Sequence, residues 1–136
     1  MYLLDTNVLS EMRKGRRCDP AVVRWAEPVD AANLWISVMA LGEIRNGIDR
    51  LKPRDPATAV HLEKWLQGIH QRYENRILPV TAEIAEEWGR LNAVRPLPTA
   101  DSLMVATANV HRLIFVTRNT KDLTGARVKL LEPFEG

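Results

Sequence analysis

The sequence contains a single cysteine, Cys18, among 136 residues. No disulfide can form within the chain, and a cysteine-based zinc cluster is excluded. Long apolar runs are also missing. Nowhere do about 18 apolar residues follow one another, so no membrane span is expected. The opening Met1-Tyr-Leu-Leu-Asp5 has neither the basic start nor the apolar stretch of a secretory leader, and a reducing, cytoplasmic location is the expectation. Internal repeats and low-complexity tracts are absent. Charge of one sign is scarce: 19 Lys and Arg against 17 Asp and Glu leave a net charge of +2, too small to announce nucleic-acid binding by itself. Basic residues do cluster locally, at Arg13, Lys14, Arg16 and Arg17 and again at Arg45, Arg50, Lys52 and Arg54. Clusters of this kind are ordinarily solvated faces.

What is present suits one domain spanning 1–136, with 46% hydrophobic and 26% charged residues. Residues 1–4 read as a buried strand running into a helix over about 7–14 that stops near Gly15. Asp19 and Pro20 mark the start of a second helix, about 20–27. Residues 33–37 read as a strand, after which Ser37 caps a helix over about 38–51 whose core stripe is Leu41, Ile44, Ile48 and Leu51. Beyond Pro53 and Pro56, a long amphipathic helix carries Leu62, Trp65, Leu66, Ile69 and Tyr73 on one face. Ile77-Leu78 is a brief extended piece. Thr81 then caps a helix bearing Ile84, Trp88 and Leu91, and Thr99 is expected to cap a small-residue helix over about 100–111. Leu113-Ile-Phe-Val116 is the clearest strand, a continuous apolar run of the kind buried on both faces, and 128–131 reads as a last strand. Strands alternate with helices, so the expected fold is α/β: a short, mostly parallel sheet flanked by helices on both faces. Ligands of such sheets gather beyond the carboxyl ends of the strands.

Three carboxylates stand where an ordinary core would not want them. Asp5 closes an apolar strand, Glu43 interrupts the apolar helix stretch Met39–Ile44, and Asp101 opens a helix of small apolar residues. A buried carboxylate needs a partner, and a shared divalent cation would serve all three. Oxygen ligands without a His or Cys cluster point to Mg²⁺ or Mn²⁺ over zinc, and hard cations held by carboxylates are the usual equipment of phosphodiester hydrolysis. Thr6 and Asn7 are placed to hydrogen-bond such ligands, and Gly47, one turn beyond Glu43, leaves room for a substrate backbone. Each acid also has a plainer role. Asp5 can cap the following helix, Asp101 can complement a helix dipole, and Glu43 can pair with Arg45 or Lys52. Asn119 and Asp122 are by default loop and capping residues.

Four segments taken together are more specific. Leu4-Asp-Thr-Asn-Val-Leu-Ser10, Ile36-Ser with Leu41-Gly-Glu-Ile44, Thr99-Ala-Asp-Ser-Leu103 and Val116-Thr-Arg-Asn-Thr-Lys-Asp122 resemble, in order and over nearly the whole chain, the PIN-domain proteins. The resemblance is to the VapC-type toxins of toxin–antitoxin pairs, including the FitB-like branch, to which the ending Leu131-Glu-Pro-Phe134 is also similar. It implies an RNA endonuclease that requires Mg²⁺, with Mn²⁺ able to substitute. It also implies a homodimer silenced by a cognate VapB-like antitoxin, with a larger toxin–antitoxin assembly possible. The family's acidic positions fall on Asp5, Glu43 and Asp101 as metal ligands, and the fourth falls on Asn119, a departure that leaves open whether one ion or two are held. Thr6, Asn7, Thr117 and Asp122 would support those ligands. Arg13, Arg45, Arg118 and Lys121 would neighbour an RNA backbone. Trp25, Trp35, Trp65 and Trp88 fit core or interface positions better than base-stacking ones.

Rival readings are weaker. An aspartate-nucleophile phosphatase needs a second Asp two residues after the first, where Asn7 stands, and a receiver-type phosphoacceptor needs an acid pair on its first strand. A non-catalytic PIN-like module whose acidic pocket docks a basic partner segment is the principal alternative.

Overall fold

The computed structural model describes residues 1–134. Its five strands, β1 (Tyr2–Leu4), β2 (Leu34–Ser37), β3 (Ile77–Leu78), β4 (Ile114–Val116) and β5 (Leu130–Leu131), form one sheet in the order β3-β2-β1-β4-β5. Every pairing is parallel, with Leu3 opposite Trp35 on one side and Phe115 on the other. Six α-helices make the crossovers: α1 (Thr6–Met12), α2 (Pro20–Ala26), α3 (Val38–Leu51), α4 (Pro56–Arg72), α5 (Ala82–Val94) and α6 (Thr99–His111). Neighbouring strand residues point to opposite faces, yet Leu3 and Leu4 are both fully buried, as are Phe115 and Val116. Both faces of the central strands are therefore covered, as a parallel sheet requires.

Local chemistry explains most of the boundaries. Asp5, Asp19, Ser37, Asp55 and Thr81 each cap a helix, accepting from a backbone N–H of its first turn. Gly15, at φ +59°, takes the left-handed conformation just beyond α1, where a Cβ would be strained. The residue expected to cap α6 does not. Thr99 is already its first helical residue, Pro98 occupies the cap position, and no side chain caps the helix. The fixed φ of proline and its restraint on the preceding residue set the entry angle there instead. The outer strand is also shorter than its apolar pattern suggests, because only Leu130 and Leu131 pair with residues of β4, the Lys129 carbonyl before them accepting from the Phe115 amide at 2.8 Å. A parallel edge strand is defined by its neighbour, which periodicity does not see.

Three helix contacts fix the ground on which the acids stand. The Trp88 indole donates to Ser102 Oγ at 2.9 Å, pinning α5 to the first turn of α6. The Arg45 guanidinium makes a two-pronged pair with Glu63 at 2.8 and 2.5 Å and reaches Asp49 at 3.2 Å, tying α3 to α4. Buried Glu11 accepts from the Asp19 amide at 2.8 Å and from Lys14 at 3.0 Å, holding α1 against the start of α2.

Candidate active site

The carboxyl ends of β1 and β4 are locked side by side, since the Asp5 amide donates to the Val116 carbonyl at 2.9 Å. This places Asp5 and Thr117, the residues that follow the two strands, in contact. Thr117 is fully buried, and its hydroxyl donates to Asp5 Oδ2 at 2.7 Å while accepting from the Asn119 amide at 3.0 Å. The other Asp5 oxygen accepts from the Thr6 amide at 2.7 Å. Asn7 completes the knot: its Nδ2 lies 3.3 Å from Asp5 Oδ2 and 3.4 Å from Thr117 Oγ1, and its Oδ1 accepts from the Arg118 amide at 3.3 Å. Asp5 thus caps α1 and also belongs to a polar cluster that the cap alone does not need.

Glu43, exposed on α3, is reached from the same strand end. The Thr6 hydroxyl donates to Glu43 Oε1 at 2.7 Å, so one threonine serves Asp5 with its amide and Glu43 with its side chain. The plainer expectation, a pair between Glu43 and Arg45 or Lys52, is not realised: Arg45 is taken by Glu63 and Asp49, and Glu43 joins no ion pair among the described residues. Asp101 lies half-buried in the first turn of α6.

The electrostatics of this group are one-sided. Burial pushes the Asp5 carboxyl from an ordinary 3.8 up to about 6 against the lowering effect of its hydrogen bonds, and Asp101 and Glu43 push it further in the same direction. Asp101 is likewise raised, first by burial, then by Glu43 and Asp122. Four carboxylates therefore share one electrostatic neighbourhood, and none of them pairs with a Lys or Arg among the described residues. The donor set is hard oxygen, and its excess negative charge is what a divalent cation would relieve. The side chains as placed do not yet close on an ion: among the described residues no three His, Cys, Asp or Glu groups are gathered tightly enough to hold one. The chemistry of the set, hard carboxylate oxygens with no cationic partner among the described residues, nevertheless fits such a metal.

The structure brings Asp5, Thr6, Asn7, Glu43, Asp101, Thr117 and Asp122 into this group. Asn119 enters it through its backbone, donating to Thr117 and accepting from the Asp122 amide at 3.2 Å. The charge felt by Asp101 from this loop comes from Asp122, in the short 3₁₀ turn Lys121–Leu123. Of the basic residues expected beside an RNA backbone, Arg45 pairs with Glu63 and Asp49 and ties α3 to α4. Arg118 stacks over Phe134 at 3.8 Å and stands 3.9 Å from Glu11, with about half its side chain exposed. Lys121 and Arg13 are exposed and unpaired among the described residues, Arg13 lying over the Trp65 ring at 5.5 Å. Sequence reasoning missed Glu11, and although it expected Thr6 to hydrogen-bond an acid of the group it did not identify Glu43 as that acid. Both contacts span elements whose relative placement no local pattern encodes.

The chain matches the PIN domain family over residues 2–126. It is 28% identical to Toxin FitB of Neisseria gonorrhoeae over 98% of this chain and 99% of that one. Over 99% of both chains it is 26% identical to the VapC ribonuclease Y4jK of Sinorhizobium fredii. Among solved structures, FitAB bound to a DNA fragment superposes with a TM-score of 0.87 at 26% identity, covering 100% of this chain and 97% of that one. A toxin–antitoxin complex from Klebsiella pneumoniae gives 0.75 at 27% identity, covering both chains fully. The family match over residues 2–126 and the shared order of elements and parallel sheet settle the family: the chain belongs to the PIN-domain family.

Proposed function

We propose that this protein is an endoribonuclease dependent on Mg²⁺ or Mn²⁺ that hydrolyses RNA phosphodiester bonds. In this reading it serves as the toxin of a toxin–antitoxin pair, as a homodimer held inactive by its antitoxin. The observation that carries the reading is the gathering of Asp5, Glu43, Asp101 and Asp122, none of which pairs with a Lys or Arg among the described residues, and in which Asp101 and Glu43 raise the proton affinity of Asp5 while Glu43 and Asp122 raise that of Asp101. An uncompensated cluster of this kind is costly for a fold and useful for binding a cation. The names carried by the relatives, toxin and ribonuclease, support the same conclusion.

Asp5, Glu43 and Asp101 would hold the metal. A bound Mg²⁺ or Mn²⁺ supplies charge neutralisation at the phosphoryl group and makes water more acidic. The chain's own residues do the rest. The Thr117 hydroxyl and the Thr6 amide fix the Asp5 carboxylate from two sides, so its orientation is set before anything binds. Thr6 likewise aims one oxygen of Glu43, leaving the other free to accept a proton or orient a water. Asn7 ties this arrangement to the loop after β4, so the ends of both strands move as one unit.

A second reading, a non-catalytic module whose acids dock a basic partner segment, draws on the open spacing of the acids. Cleavage of RNA by purified, antitoxin-free protein separates the two. Activity with Mg²⁺ or Mn²⁺ that is lost in EDTA and in Asp5→Ala is the expected result. An inert, folded, metal-loaded protein would favour the docking module.

A further inference from the structure

At the amino ends of β4 and β5, on the opposite edge of the sheet from the acids, a cleft of about 470 Å³ opens beside the end of α6. Ala108, Leu113 and Val128 give it an apolar lining, and its charged lining is Arg112, Arg127 and Lys129. All three cations are exposed, and none joins an ion pair among the described residues. No carboxylate lines the cleft among the described residues. Glu87, which accepts from Asn109 at 3.1 Å, is paired with Arg90 at 3.2 Å and lines a separate cavity. The backbone beneath the cations is fixed. Arg112 ends α6 in the left-handed conformation, at φ +56°, the only non-glycine residue with positive φ among the described residues. The amides of Arg112 and Leu113 donate to the Asn109 and Ala108 carbonyls at 3.2 and 2.8 Å, so the backbone itself closes the helix end without the guanidinium. The Val128 amide donates to the Ala126 carbonyl at 2.8 Å, a tight turn with Arg127 at its centre. The Lys129 carbonyl is held by the Phe115 amide, also at 2.8 Å.

We propose that this cleft is a secondary RNA-binding site, which holds the phosphate backbone of the substrate outside the stretch being cut. The inference rests on the nuclease reading above. A group of unpaired carboxylates repels RNA, so affinity has to come from cations. Of the four expected beside the acids, Arg45 is tied to Glu63 and Asp49, and Arg118 is shared between Phe134 and Glu11. That leaves Arg13 and Lys121 against four carboxylates. The cleft supplies three cations with no such engagement. Exposed cations hold a single anion weakly, whereas a backbone that meets several at once gains from every counterion it releases. A polyanion therefore suits this cleft better than a free phosphate. One RNA can reach both edges of the sheet, since the three residues of β4 span about 10 Å, the length of about three stacked nucleotides.

The test is binding without cleavage, in Asp101→Asn protein and EDTA. A labelled single-stranded RNA of about 30 nucleotides is titrated by fluorescence anisotropy at several salt concentrations. One variant combines Arg112→Gln, Arg127→Gln and Lys129→Gln. A control combines Arg24→Gln, Arg54→Gln and Lys64→Gln, which removes the same charge from exposed residues that join no ion pair among the described residues. Circular dichroism melts confirm folding. The cleft variant should bind RNA about tenfold more weakly and flatten the dependence of log affinity on log salt by about 2, near 0.7 for each cation lost, while the control stays close to the parent. Unchanged affinity and salt slope in the folded cleft variant, or equal losses in cleft variant and control, overturn the secondary site. Metal-dependent cleavage by the unsubstituted protein judges the nuclease reading separately. Thermal stabilisation by inorganic phosphate that the cleft variant loses, with RNA affinity unchanged, would also overturn it and make the cleft a small-anion pocket. Loss of antitoxin binding with undiminished RNA affinity would likewise overturn it and assign the cleft to a protein partner.

Discussion

Replacing Asp5 by Asn isolates the charge that the fold has to tolerate. Asn keeps the size of the side chain and an oxygen able to cap α1 through the Thr6 amide. The Asp5 carboxyl titrates at about 6 in the folded protein against an ordinary 3.8. Below about pH 4 the folded and unfolded chains both hold the proton, and Asp5 contributes no pH dependence. As pH rises from about 4 to 6, the unfolded chain has released a proton that the folded chain still binds, so stability falls. Above about pH 6 the full penalty remains. The displacement, at about 1.4 kcal/mol per pH unit, sets it at about 3 kcal/mol, and since Asp5 is only 5% exposed solvent screening removes little of it. Urea denaturation of both proteins in EDTA from pH 4 to 8 measures it as a difference, in which carboxyls shifted the other way, such as Glu11 and Glu63, cancel. Asp5→Asn should gain on the wild type by up to about 3 kcal/mol between pH 4 and 7. Part of that gain is offset by the Thr117 hydroxyl, which loses a charged acceptor. Saturating Mn²⁺ should stabilise the wild type above pH 6 and leave Asp5→Asn nearly unmoved. A stability difference that stays flat from pH 4 to 8 would refute the argument that Asp5 is held at an energetic cost.

Glu43→Gln removes a charge from an exposed helix position, so the melting temperature should hardly change while RNA cleavage disappears; undiminished cleavage would strike Glu43 from the reacting group. Thr117→Val deletes the buried hydroxyl that donates to Asp5 and accepts from Asn119. It should cost about 1–3 kcal/mol in chemical denaturation and weaken Mn²⁺ binding in calorimetry. Gly47→Ala meets no neighbour and should stabilise α3 by about 0.5–1 kcal/mol, yet slow cleavage because the added methyl narrows the cavity that Gly47 and Glu43 line together; a thermal melt and a cleavage assay on the same preparation read both. Trp88→Phe breaks the bond to Ser102 and should lower stability by about 1 kcal/mol with little effect on metal affinity.

Local chemistry wrote much of this protein into its sequence. The caps at Asp19, Ser37 and Thr81 and the apolar run before Thr117 fix where helices and strands start, because each acts through neighbours a few residues away. Asp5, Glu43 and Asp101 stand out as charged residues in apolar stretches of the sequence, although only Asp5 is buried, Asp101 being half-buried and Glu43 exposed, and the four ordered segments around them carried the family. What the sequence alone could not settle is which groups meet. Arg45 and Glu43 are two residues apart and point to different fates, one tied to Glu63 across the α3–α4 hairpin, the other to Thr6 on another element. Asp122, one of several acids near the end of the chain, gained its standing only when the 3₁₀ turn brought it within electrostatic reach of Asp101. The Thr117–Asp5 bond spans 112 residues. It exists because parallel pairing lays the ends of β1 and β4 side by side, and contacts made across that distance depend on packing that no local pattern records.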